Sequence, residues 1–338
     1  MDKQLFDKVM NCMLGDRSDN SHMNFTVWEW PTAIGVYSIY KAYLKTNDKQ
    51  YLNLLIKWFD DRIAEGLPPK NVNSVGPLLT MAHVYEITGR EDYLAICKEW
   101  LDWVMNEMPR TQEGGLEHMT VNGRHYEQMW VDTLFMTVLF VAKMGKITGD
   151  QKVADEATYQ FLIHIKYLTN TKTGLWHHAF CFDGRHNYSG APWARGNSWY
   201  ASSVQEFIDI TGIDGAVKRF LVETLKSQLD ALVKYQGPEG FWHTLMDDDS
   251  YNETSATASF AYSMIKAVKS GLVEDNGYLA SAKKAVAAVK SVIEDDGTVG
   301  GVSYGTGAKF ERSGYTEVPI RPTTYGQGLT LMMLTVAD

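Results

Sequence analysis

"VYEITGREDYL", residues 84–94, reads as the end of one helix, a glycine-centred turn and the start of the next. Gly89 suits the left-handed residue that closes a helix, and the polar residues after it suit an N-cap and first turn. The mark recurs as "AYLKTNDKQYL" at 42–52, "MGKITGDQKVAD" at 144–155 and "FIDITGIDGAVK" at 207–218, with Gly149 and Gly212 in the place of Gly89. "VKSGLVEDNGYL" at 268–279 is a looser copy. Marks spaced roughly forty to sixty residues apart predict a repeated helical hairpin.

The helices on either side of a mark differ in kind. Residues 91–107 place Tyr93, Ile96, Cys97, Trp100 and Val104 at three- and four-residue spacing among charged residues, the pattern of a helix with one wet face. Residues 128–147 are apolar nearly all round, as a helix enclosed by neighbours is. The alternation predicts outer helices near 2–13, 50–65, 91–107, 151–167, 214–235 and 277–293. Inner helices are predicted near 29–45, 73–88, 129–147, 197–211, 254–270 and 325–336. Six such pairs predict an all-α fold, an (α/α)6 barrel forming one domain over residues 1–338. The barrel is expected to close on itself, since no end repeat carries the polar cap that an open solenoid needs. The long connections before the inner helices hold "GGLEHM" (114–119), "GLWHHAF" (174–180), "GFWHTL" (240–245) and "GTVGGVS" (297–303), which predict short β segments at one mouth.

Composition narrows the function. A net charge of -9 with no basic cluster argues against a nucleic-acid binder, because nothing is present to release phosphate counterions. No stretch approaches the roughly eighteen uninterrupted apolar residues of a membrane span. Cys12, Cys97 and Cys181 are odd in number and far apart, which argues against a disulfide framework or a thiolate zinc site and predicts a cytoplasmic protein. There is no HExxH, GxGxxG, Walker or GxSxG motif, so neither a metal nor an organic cofactor is expected. The expected state is a monomer or weak homo-oligomer.

Of ten tryptophans, Trp28, Trp30, Trp130, Trp176, Trp193, Trp199 and Trp242 fall before inner helices or in their first turns. Collected at one mouth, their rings suit the C–H faces of a carbohydrate, although each alone reads equally well as a gap filler. Asp132 is the one carboxylate in "MWVDTLFMTVLF" (129–140). It reads either as an acid placed for the helix dipole or as a general acid whose pKa is raised by Trp130 and its apolar setting. "APWARGNSWY" (191–200) offers Trp193 and Trp199 for stacking and Arg195 as a fork for a carboxylate, or as the partner of an acid beneath the loop. His118, His177, His178 and His243 sit in the β-like segments as polar loop residues or ligand contacts.

"MWVDTLFM" (129–136), "APWARGNSWY" and the TG-turn hairpins together resemble the unsaturated rhamnogalacturonyl hydrolases, family 105 of the glycoside hydrolases. The resemblance runs from "WEWPTAIGVY" (28–37) to "TTYGQGLTLMM" (323–333). It implies a barrel that takes a small oligosaccharide and removes a Δ4,5-unsaturated galacturonic acid from its non-reducing end. It places the catalytic acid and base on Asp132 and site-lining residues on Trp193 and Arg195. Asn73 stands at the start of the second inner helix, where some relatives of the fold carry an aspartate. Met119 follows His118, where a lysine is sometimes found. Trp30, Trp130, His118, His177 and Trp199 complete the expected substrate contacts. The rival readings are an unsaturated glucuronyl hydrolase, a sugar epimerase, for which His83 and His164 are poorly placed, and a non-catalytic glycan-binding toroid.

Overall fold

A computed structural model describes residues 2–15 and 22–337; residues 1, 16–21 and 338, included in the one-domain reading, lie outside the described residues. Helix α1 (Lys3–Leu14) is followed by α2 (Trp30–Thr46) and α3 (Lys49–Glu65), α4 (Val72–Thr88) and α5 (Glu91–Asn106), and α6 (Leu139–Thr148) and α7 (Gln151–Leu168). Then come α8 (Ala194–Thr211) and α9 (Gly215–Tyr235), α10 (Thr254–Lys269) and α11 (Tyr278–Ser291), and finally α12 (Thr324–Val336). Each even-numbered helix packs on the next, and α12 packs on α2, so the inner ring closes. The odd-numbered helices lie outside it, with α1 backing α12. This is the (α/α)6 barrel that the alternation predicts.

Local chemistry accounts for the layers. In α7 the buried residues Val153, Ala157, Gln160, Phe161, Ile163, His164, Ile165 and Leu168 lie to one side, whereas α8 is buried on every side from Ala194 to Ile208. A helix of the second kind is stable only inside a ring of others. The turn marks behave as their sequence requires: Gly89, Gly149 and Gly212 have φ of 71°, 67° and 66°, and Asn47 takes the same role at φ 54°. Closure depends on a close backbone approach between α2 and α12. A Cβ on Gly328 would lie 2.9 Å from the Ile34 carbonyl oxygen, too near for any side chain.

The third inner helix departs from expectation. Residues 129–147 read as one helix, but Gln128–Trp130 is a strand. Strands β1 (Met119–Thr120) and β2 (Gly123–Arg124) pair with each other, while β3 (Gln128–Trp130), β4 (Ala179–Cys181) and β5 (His186–Asn187) form a second sheet in that order. Trp130 stands opposite Ala179 and Met129 opposite Phe180. The ladder supplied by a segment some fifty residues away overrides the helical pattern, since both partners' backbone groups must be satisfied away from water. Isolated bridges Arg110–Leu116, Thr169–Trp176 and Ile293–Val299 give the other connections their expected β character. No described helix is long and apolar enough to cross a membrane.

Candidate active site

Beyond Asp132 the chain enters its inner helix through a widened turn. Leu134–Val138 form a π-helical turn before α6, a local geometry that often accompanies functional sites. The Asp132 carbonyl accepts from the N–H of Phe135 and Met136 at 3.1 and 3.0 Å, which puts its side chain at the positive end of the helix. Its side chain is 16% exposed and faces a cavity of about 540 Å³ at the mouth formed by the N-termini of the inner helices.

Seven expected residues line that cavity: Asp132, Trp193, Arg195, His118, Asn73, Trp130 and Trp30. His177 and Trp199 do not. Trp199 lies a full turn inside α8, where its ring packs 5.6 Å from Phe135. His177 is displaced by its neighbour: in an extended segment adjacent side chains face opposite ways, so only one of His177 and His178 can reach the acid. That one is His178, whose Nε2 lies 2.9 Å from Asp132 Oδ2. His178 Nδ1 is 2.8 Å from the Tyr315 hydroxyl, which is 2.8 Å from Ser189 Oγ and accepts from the Lys309 N–H at 3.0 Å.

The electrostatics of Asp132 reverse the expectation from sequence. Burial alone would raise its pKa, but His178 outweighs it and holds the carboxyl below the usual aspartate value. The local sequence shows the greasy helix but not the imidazole brought in from a distant strand. His118 itself is pushed down to about 3 by burial, which keeps it neutral. It stacks on Trp130 at 4.0 Å and its Nδ1 meets Thr133 Oγ1 at 3.0 Å. In His178→Gln, burial acts on Asp132 without the imidazole. Because the reaction starts from the protonated acid, the alkaline limb of the kcat/KM profile is expected to move to higher pH, as read from initial rates across pH; an unmoved limb would mean that another group governs it.

Arg195 is buried and held from both sides. Its guanidinium lies 4.7 Å from the Trp193 ring and 4.9 Å from that of Tyr325. Nη1 faces Glu253 Oε1 at 3.4 Å and the Ser303 carbonyl at 3.0 Å, and Nη2 donates to Thr306 Oγ1 at 3.0 Å. Glu253 is fully buried and also caps α10 through the Ala256 N–H. Arg195 thus pairs with an acid beneath the loop and also lines the cavity. Sequence reasoning missed His178 as the partner of Asp132, and also Glu29, His22, His125, Thr306 and Lys309, which line the cavity. The adjacent "HH" was the one usable signal.

The tryptophan bias holds only for three rings. Trp30, Trp130 and Trp193 line the cavity, Trp30 stacking on Tyr325 at 4.4 Å. The others fill gaps between helices, as Trp28 does against Trp58 at 5.4 Å and Trp176 against Tyr200 at 3.9 Å. Among the described residues no cluster of three or more His, Cys, Asp or Glu is arranged to hold a metal.

An acid beneath a sugar-sized aromatic cavity, set in a closed helical toroid, is the arrangement of a glycoside hydrolase. Residues 5–337 match the model of Glycosyl Hydrolase Family 88, and the chain belongs to that family. It is 34% identical over 312 residues to the unsaturated rhamnogalacturonyl hydrolase YesR of Bacillus subtilis (strain 168), covering 91% of this chain and 88% of that one. A crystal structure from Salmonella enterica serovar Paratyphi A, described as a possible member of GH105, is 40% identical with a TM-score of 0.95 over 98% of this chain and 92% of its own. The unsaturated glucuronyl hydrolase of Bacillus sp. GL1 shares the fold, with a TM-score of 0.72 at 20% identity over 98% of this chain and 94% of its own.

Proposed function

We propose that this hydrolase removes a Δ4,5-unsaturated galacturonic acid from the non-reducing end of rhamnogalacturonan-derived oligosaccharides by hydrating the vinyl ether. The observation that carries the reading is Asp132 facing the cavity with His178 against it and Trp193 and Arg195 beside it. The similarity to YesR supports galacturonyl-rhamnose as the substrate.

In this reading Asp132 gives a proton to C4 of the unsaturated ring, and the ring oxygen stabilises the cation left at C5. The resulting carboxylate takes a proton from the water that attacks C5. The hemiketal collapses to a C5 ketone, the C1 hemiacetal so formed expels the partner sugar, and C1 is left as an aldehyde. One water is consumed, and one carboxyl group serves both steps. Because the free site holds Asp132 as its anion, the proton must arrive with substrate. The incoming uronate carboxylate and the expulsion of water both favour the protonated form.

Among the described residues Arg195 and Lys309 are the arginine and lysine lining the cavity, and they are proposed to meet the uronate carboxylate. Arg195→Lys keeps the charge but loses the planar fork and the stacking between Trp193 and Tyr325. KM is expected to rise by about tenfold or more, with kcat less affected; an unchanged KM would remove Arg195 from substrate binding. The test of the function itself is to supply unsaturated galacturonyl-rhamnose and an unsaturated chondroitin disaccharide separately and follow loss of the enol-ether absorbance. Faster loss with the first supports the reading, the reverse preference assigns glucuronyl substrates, and loss with neither overturns it. The free, buried state of Cys12, Cys97 and Cys181 supports a reducing, cytoplasmic setting.

A further inference from the structure

The cavity contains a second acid that the reaction above does not use. Glu29 precedes α2, and its carbonyl accepts from the N–H of Thr32 and Ala33 at 3.1 and 3.0 Å. Its side chain makes no capping hydrogen bond. The carboxyl instead joins the cavity lining, beside the Asn73 amide at the start of α4. No described Lys, Arg or His forms an ion pair with it. A largely desolvated acid without a cation is costly as an anion and so favours its neutral form. Burial accordingly raises Glu29 to about 7, opposed only in part by Asn73 and the Trp30 N–H. The carboxyl balances no charge, and with Asn73 and the Trp30 N–H as its neighbours it stays available to the cavity.

The other imidazoles and the other acid lining the cavity are all shifted downward. On the 118–132 segment, burial holds His118 and His125 low, and Asp132 lies below its ordinary value. Burial, then Arg195, brings His22 down to about 4. Arg195 on α8 and Lys309 on the 305–309 loop add positive charge. A neutral carboxyl beside a carboxamide offers donors and acceptors together, the set that adjacent sugar hydroxyls need. The ionised form would instead place a negative charge in a cavity that has to admit a uronate.

Resting on the unsaturated-uronide reading, we propose that Glu29 is a substrate-binding acid that hydrogen-bonds sugar hydroxyls while neutral and repels the substrate carboxylate once ionised. It thereby sets an alkaline limit on capture rather than on bond-breaking. Glu29→Gln keeps a donor and an acceptor but cannot ionise. With unsaturated galacturonyl-rhamnose, wild-type KM is expected to climb by up to about tenfold per pH unit above neutrality, while KM of Glu29→Gln stays flat over the same range. Glu29→Ala, lacking the hydroxyl contact, should show a raised KM at every pH, also without the climb. A climb that persists in Glu29→Gln overturns the assignment. So does a collapse of kcat in Glu29→Gln as deep as that of Asp132→Asn, which would make Glu29 part of the chemistry.

A readout without substrate separates this inference from the function it rests on. An acid whose folded-state pKa is raised loses stability as pH climbs from its unfolded value towards the folded one. Glu29→Gln should therefore melt at a higher temperature than wild type near pH 8, with the gap closing near pH 5. Absence of the gap sinks the role of Glu29 whatever the substrate. A gap without turnover of any unsaturated uronide retains Glu29 as a protonated cavity acid and sinks the substrate reading alone.

Discussion

Asp132→Asn is expected to abolish turnover of an unsaturated uronide while leaving the helical circular dichroism of the barrel unchanged. The amide fits the space of the carboxyl and still sits at the helix N-terminus, but it can neither deliver a proton to C4 nor take one from water. A positioned acid or base contributes on the order of a hundredfold to ten-thousandfold, and Asp132 is assigned both roles, so the loss should be at least about a thousandfold. Retained turnover would reassign the acid. A non-catalytic toroid would show the opposite pattern, with ligand capture and function untouched by the change.

Glu206→Ala should do the reverse, unfolding the protein more readily with the chemistry left in place. Glu206 on α8 is buried at the opposite mouth, where it accepts from Tyr37 on α2 at 2.6 Å, from Tyr262 on α10 at 2.5 Å and from Lys266 at 2.7 Å. Lys41 of α2 completes the cluster at 3.2 Å. Removing the acid strands the Lys41 ammonium and two buried hydroxyls and leaves Lys266 only the exposed Asp209 at 2.7 Å, and breaking such a cluster costs about 3 to 5 kcal/mol. Burial would raise the Glu206 pKa, but Lys266 and Lys41 overcome it and hold the carboxyl well below its ordinary range. A lowered folded-state value gives stability that is present above the unfolded pKa and lost as pH falls. Chemical denaturation of wild type and variant should thus differ most above about pH 5 and converge in stronger acid. A difference under about 1 kcal/mol at neutral pH would show that the cluster does not tie the three inner helices together.

The two variants probe opposite ends of one ring, and the ends differ in how far they could be read from sequence. Asp132, Trp193 and Arg195 stand in dense, unusual stretches, and the cavity collects all three. Nothing near "VQEFIDITG" marks Glu206, because its partners Tyr37 and Lys41 lie 169 and 165 residues away. Trp199 was misplaced for a related reason: proximity to Arg195 in sequence does not carry a side chain round the helix to the same face. Choosing His178 over His177 required the phase of the β3–β4 ladder, which a register shift of one residue would invert.

By itself the sequence determined the alternation of wet and enclosed helices, the glycine and asparagine turns that join them, and hence the closed six-hairpin barrel. These are consequences of periodicity and capping, which act over a few residues. Only the tertiary structure decided that Asp132 rests as an anion against His178, that Arg195 is already paired with Glu253, and that Glu29 lines the cavity with no described cation in an ion pair with it. Charge and desolvation depend on which distant segments meet, and the ring brings together at its mouth groups that local pattern leaves unconnected.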